Sequence, residues 1–258
     1  MDNTGLIYVT FDFQTDTPQG KDPDALSPTL RRYHRLLWSK PLPSGVMFEL
    51  VDTTPGIYLH HHSQLGEFWL ASDAVIPTFR KEAHLSQVLA QIPEELDTFR
   101  NIGSTIGGMM LFPSNRVGRH MTINSARGFH PRIKDRFDLT VECIRRFYLN
   151  EDSPLTDTLA RYADYFRLFA DFRGYMEFFL LQDLVTADYS AVRFFSPFQG
   201  FTSSPVPDGL AAYLDYRALA VGFIEARNER IKAWWSDYRL IGTRLQPTAA
   251  GEIRSRRG

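Results

Sequence analysis

Met121-Thr-Ile-Asn-Ser-Ala-Arg-Gly-Phe-His-Pro-Arg-Ile-Lys-Asp-Arg-Phe137 is where the apolar rhythm of this chain changes. On its N-terminal side the apolar residues come in short runs and alternations bounded by turn residues. On its C-terminal side Ile133, Phe137, Val141, Ile144 and Tyr148 recur every three or four positions, opposite Lys134, Asp135, Asp138, Glu142 and Arg145. Alternation is the mark of a half-buried strand, and a period near 3.6 that of an amphipathic helix. Strands first and helices afterwards argue for an α+β protein. The expectation is an N-terminal, mostly antiparallel sheet with short helices, and a C-terminal helical half packed on it.

Towards the N-terminus, Ile7, Val9, Phe11 and Phe13 alternate with Tyr8, Thr10, Asp12 and Gln14, which predicts a strand. Further strands are predicted at 46–51, 57–62, 67–71, 106–112 and 121–124, each bounded by Gly, Pro, Ser or Asp. Ser27-Pro28 is an N-cap with proline in the first turn, and Leu30, Tyr33, His34 and Leu37 follow at helical spacing. Residues 83–92 predict a second helix. Pro93-Glu94-Glu95 opens a third, with its acids at the positive end of the dipole.

Towards the C-terminus, Ser153-Pro154 starts a helix marked by Leu155, Leu159, Tyr162, Phe166 and Phe169, and 173–187 predicts a buried one. The longest helix runs from about Asp208 to Tyr238. Its residues Leu210, Leu214, Arg217, Val221, Ile224, Asn228, Ile231, Trp235 and Tyr238 alternate spacings of four and three, a heptad seam interrupted by Arg217 and Asn228. Such a stripe either crosses its own domain or joins two copies, so a homodimer through residues 208–238 stays open. Residues 1–245 are expected to form one domain, with 246–258 a basic, flexible tail.

The composition sets bounds on partners. Twenty Phe and eleven Tyr among 258 residues supply ample core area and exclude a disordered chain. A formal net charge of -1 gives no overall attraction to nucleic acid or membrane, so an electrostatic partner must be met by a local cluster. The single cysteine, Cys143, excludes an intrachain disulfide and a Cys-based zinc site. Residues 1–13 lack the pattern of a signal peptide, and the most apolar run, Tyr175–Val185, contains Glu177, Gln182 and Asp183. The expected location is the cytoplasm, without membrane contact.

Two segments concentrate polar chemistry. Residues 14–24 place Asp16, Lys21, Asp22 and Asp24 among prolines, with Gly20 permitting close backbone approach to a ligand. Carboxylates beside a lysine suit proton transfer or a metal-bound phosphate, although a solvated turn has the same composition. Residues 115–136 carry Arg116, Arg119, Arg127, Arg132, Lys134 and Arg136 against Asp135 alone, interspersed with His120, His130, Asn115 and Asn124. Arginine forks match phosphate or carboxylate, and a histidine beside them can exchange protons near neutrality. A solvated basic face is the plainer alternative.

His60 and His62 would share one face of a strand, a geometry able to chelate a transition metal, but no further ligand has a recognised spacing. Arg31, Arg32, His34, Arg35 and Lys40 make the first long helix and its end basic. Cys143 lies beside an apolar stripe and reads as an inert buried thiol. A nucleophile elbow, a P-loop, a dinucleotide fingerprint and a His-Glu-x-x-His motif are absent.

Asp16-Thr-Pro-Gln-Gly-Lys-Asp-Pro-Asp24, the stretch Ser27-Pro-Thr-Leu-Arg-Arg-Tyr-His34 running on to Lys40, and Ile123-Asn-Ser-Ala-Arg-Gly128 followed by Asp135-Arg-Phe-Asp-Leu-Thr140 resemble an uncharacterised bacterial family, a domain of unknown function. The resemblance covers most of residues 10–230. It implies that these polar stretches are family hallmarks, and it implies no activity.

The functional expectation is a phosphate-bearing ligand, nucleotide or nucleic acid, held between the two polar segments. Lys21, Asn124, Arg127, Arg132 and Arg136 would bind it, and Asp12, Asp16 or His130 would assist proton transfer or metal binding. No cofactor is named by the residues. The alternatives are an interaction module, antitoxin-like or defence-associated, docking through the long helix, and a metal-dependent hydrolase using His60 and His62.

Overall fold

The computed structural model describes residues 5–53, 58–77, 79 and 82–244, with side chains to residue 240. The expected basic tail 246–258 and the first residue of the predicted 57–62 strand lie outside the described residues. No described helix is long and apolar enough to cross a membrane.

The chain is α+β as expected. Its first half contains α1 (Pro23–Leu26), α2 (Pro28–Trp38), β1 (Lys40–Pro41), β2 (Met47–Phe48), β3 (Val51–Asp52), β4 (Leu59–Ser63), β5 (Gly66–Ala74), α3 (Ala83–Leu89), α4 (Pro93–Gly103) and β6 (Met109–Pro113). β1 and β2 form a two-stranded antiparallel hairpin, and β3-β4-β5-β6 an antiparallel sheet in chain order. The second half holds α5 (Ile123–Phe129), α6 (Phe137–Tyr148), α7 (Thr156–Ala160), α8 (Ala163–Arg167), α9 (Phe172–Phe178) and the 35-residue α10 (Leu210–Arg244).

Local chemistry accounts for the elements that matter to the site. Ser27 Oγ accepts from the Leu30 N–H at 3.1 Å, and Pro28 fills the first turn, so α2 begins where its cap dictates. Leu30, Tyr33, His34, Leu37 and Trp38 then form its buried face. On β5, Leu70 and Ser72 look towards Leu30 and His34 of α2, while Asp73 looks to the other side and meets Arg127 of α5. The period of two thus puts two kinds of polar residue on opposite faces of one strand.

Several predicted elements are corrected. Residues 7–13 make no strand: Val9 and Phe13 are buried, but Phe11 N–H donates to Tyr8 O, Tyr8 N–H to the Tyr33 hydroxyl and Phe13 N–H to Ser104 O. Alternation there reports burial without ladder pairing. A 3-10 turn, Phe13–Asp16, follows. Residues 121–124 are the cap and start of α5, with Thr122 Oγ1 accepting from Ser125 N–H at 3.4 Å. The helix predicted from 133 starts at Phe137, after Lys134 and Asp135 turn through positive φ. The predicted 153 helix breaks into α7 and α8, and the predicted 173–187 helix ends at Phe178. Ala170 and Leu180, at φ +66° and +53°, stand on either side of α9, after α8 and after α9 itself. The three-to-four spacing of apolar residues persists through these breaks because all of them face one aromatic core.

The long stripe of α10 is used within the chain. Tyr213, Tyr216, Ala220, Phe223, Ile224, Arg227, Asn228 and Ile231 are buried, whereas Leu210, the first residue of the predicted seam, is exposed. Asn228 Oδ1 accepts the Gly107 N–H, and Arg217 pairs with Glu95 of α4. Arg227 is fully buried and donates to the carbonyls of Gly107, Met109 and Phe179 at 3.0, 2.8 and 3.1 Å. Burial pushes it down to about 9, since neutral carbonyls replace hydration but no carboxylate among the described residues pairs with it.

Candidate functional site

A cleft of about 720 Å³ opens between the 14–24 loop, the end of β5 and helix α4. Pro18 to Lys21 form a turn closed by Lys21 N–H donating to Pro18 O, with Gly20 at φ +72°, a conformation that suits glycine. Pro23 then starts α1, which carries Asp24 on its first turn, between the cleft and the end of the sheet. Lys21 from the loop and Arg100 from α4 line the same cleft. Gln14 and Ser104 stiffen its wall: Gln14 Nε2 donates to Ser104 Oγ at 3.0 Å, and that hydroxyl donates to Arg100 O at 2.9 Å.

Asp24 is the unusual group. Burial pushes its carboxyl up to about 8, and the neighbouring Asp22 and then Asp73 and Asp135 add to the shift. Four carboxyls converge here, and a second anion beside them is disfavoured, so Asp24 keeps its proton at neutral pH. A protonated carboxyl facing a polar cleft can donate a hydrogen bond or act as a general acid, and its conjugate base can accept a proton.

Asp73 and Asp135, whose charges reach Asp24, hold Arg127. Its Nη1 meets Asp73 Oδ2 at 2.6 Å and Asp135 Oδ1 at 3.0 Å, its Nε donates to Thr140 Oγ1 at 3.2 Å, and Nη2 donates to Asp135 O at 2.7 Å. The guanidinium is fully buried. The 14–24 loop and the 115–136 segment are therefore neighbours, joined through Asp24, Asp73, Asp135 and Arg127. The link is electrostatic, and no residue of 115–136 lines the open cleft.

The other expected residues have separate places. Asp12 caps the 3-10 turn by accepting from Gln14 N–H at 2.9 Å. Asp16 accepts from Ser27 Oγ at 2.5 Å and Thr29 N–H at 2.9 Å, fastening the start of α2. Arg136 is buried and paired with Asp138, and also donates to Pro205 O at 3.1 Å. Asn124 Nδ2 donates to Ser72 O at 3.2 Å. His130 sits below the ordinary imidazole value through burial and then Arg132, and its Nδ1 accepts the Arg132 N–H at 3.2 Å. Arg132, Arg116 and Arg119 are exposed. Of the residues expected to bind or catalyse, Lys21 alone lines the cleft.

The histidines behave differently from one another. His60 and His62 do share a face, with rings 6.3 Å apart, and His60 Nε2 lies 2.9 Å from Glu67. Among the described residues, no group of three or more His, Cys, Asp or Glu is placed to hold a metal ion. His34 is buried and pushed down to about 3 by burial, then by Arg227 and Arg31. Its Nδ1 accepts from the Trp38 indole N–H at 3.0 Å, so Nε2 carries the proton and donates to Ser72 Oγ, also at 3.0 Å. In that tautomer it cannot take a proton from Ser72. Burial pushes the Cys143 thiol up to about 12, which makes it inert.

Asp24 and Asp73 carry signals that the sequence holds only in part. Asp22-Pro-Asp24 puts two acids at the start of a short helix, but the shift on Asp24 depends on Asp73 and Asp135, which are remote in the chain.

Fold and cleft together define an α+β protein with a pocket of small-molecule size beside a carboxyl raised above its ordinary range. The chain belongs to a family of unknown function, DUF6994, whose model matches residues 7–231. No curated protein and no solved structure matches it.

Proposed function

We propose that the protein binds a small phosphate-bearing molecule in the 720 Å³ cleft, with Asp24 exchanging a proton with it. The observation that carries this is the position of Asp24, a carboxyl raised to about 8 and opening onto a polar cavity. Strongly shifted acids in clefts are characteristic of functional sites. The volume lies within the range of small-molecule pockets. Lys21 and Arg100, from two separate elements, supply the cationic contacts for phosphate in place of the buried Arg127 and Arg136; Arg100 is held by a surface pair with Asp97 that a phosphate would have to share. A phosphorylated metabolite also suits the cytoplasmic location expected from the sequence.

Calorimetric titration with nucleoside monophosphates and inorganic phosphate tests the proposal. Wild-type protein is expected to bind at least one of them, and the Lys21→Ala/Arg100→Ala double variant to bind it at least tenfold more weakly with its unfolding midpoint nearly unchanged. Equal affinity in the double variant, or no binding of any phosphate compound, overturns it.

A further inference from the structure

Lys40 opens β1, where it pairs in register with Phe48, and its side chain is turned inwards with 6% of the residue exposed. Its Nζ lies 5.0, 4.7 and 4.3 Å from the ring centres of Trp38, Phe178 and Trp234, contributed by α2, α9 and α10. Among the described residues no carboxylate stands at ion-pair distance and no acceptor takes its hydrogen bonds. The amine nevertheless borders a second cleft, of about 530 Å³, walled by Pro41, Pro43, Phe178, Trp234 and Tyr238.

The acids of this cleft are engaged elsewhere. Glu177 accepts from Arg173 Nε at 2.8 Å and from the Tyr189 hydroxyl at 3.0 Å, and Asp171 caps α9 through Gly174 N–H at 2.7 Å. Three ring faces attract an ammonium. Burial, and after it the positive Arg227, act against the charge and push the amine down to about 7. A desolvated lysine next to another cation in an apolar pocket is the setting in which an amine becomes a nucleophile at neutral pH.

We propose that Lys40 is a nucleophilic amine that condenses reversibly with an apolar aldehyde or ketone entering this second cleft. The Nζ lone pair attacks the carbonyl carbon and forms a C–N bond, giving a carbinolamine. Loss of the oxygen as water, with both amine protons, leaves the imine, and addition of water reverses it. No redox partner is needed. The site is separate from the Asp24 cleft and does not depend on its function.

The full chain is incubated with benzaldehyde and sodium cyanoborohydride at neutral pH, and the reduced adducts are mapped by peptide mass spectrometry. The expected adduct is on Lys40, formed on the order of tenfold faster than on exposed Lys232, because an ordinary lysine near 10.4 holds little free amine there. Its rate is expected to level off just above neutrality, while that of an ordinary lysine keeps rising. Lys40→Met removes this adduct alone. Because the mapping is made on the wild-type chain, it decides even where that variant folds poorly. Adducts spread evenly over surface lysines, or absent from Lys40, overturn the proposal.

Discussion

Gly107 and Asn228 meet with no room between them. The Gly107 N–H donates to Asn228 Oδ1 at 2.7 Å, and a Cβ on Gly107 would lie 2.7 Å from that oxygen and 2.5 Å from the backbone carbonyl of Ile224. The turn before β6 is therefore seated directly on α10. Gly107→Ala is expected to lower the unfolding free energy by roughly 2–4 kcal/mol, since a backbone atom cannot step aside as a side chain can. Urea denaturation measures this. A loss under ~1 kcal/mol would mean that helix and turn are not in contact.

Arg127 gives a second expectation. As a cation in a basic segment it reads as a ligand clamp whose removal leaves the fold intact, but its burial against Asp73 and Asp135 points to the opposite outcome. Arg127→Met strips the cation from two acids and should cost roughly 3 kcal/mol or more at neutral pH. The deficit should shrink as pH falls through about 6, the value to which burial raises the Asp73 carboxyl. A pH-independent deficit would assign the loss to packing.

Asp24 makes stability fall as pH rises. Its carboxyl is raised in the folded protein from 3.8 to about 8, so between these values the native state holds a proton that the unfolded chain has released. Its contribution is fully present below pH 4 and lost as pH climbs through 8. Asp24→Asn should flatten the urea midpoint over that window and make the protein more stable than wild type at pH 9. Parallel profiles for the two proteins would show that Asp24 titrates as an ordinary acid.

What was legible in the sequence was local. The Ser27-Pro28 cap, the strands around His60 and Phe68, and the long last helix are each declared by neighbouring residues. The run Ile7 to Phe13 misleads because alternation records which side chains are buried, while its N–H groups bond to a turn, a tyrosine hydroxyl and Ser104. The site was half legible. Lys21, Asp22 and Asp24 advertise a polar loop, but whether an arginine is exposed or sealed depends on acids such as Asp73, 54 residues from Arg127. Lys40 shows the same limit, since its three rings come from α2, α9 and α10.

Arg227 bears on how the protein is made. The carbonyls it gathers belong to Gly107, Met109 and Phe179, all of which leave the ribosome before it does. A nascent chain stopped short of residue 210 carries those oxygens without their donor, beside an uncovered apolar trough. Completion of the fold therefore waits until α10 has been made and can dock against them.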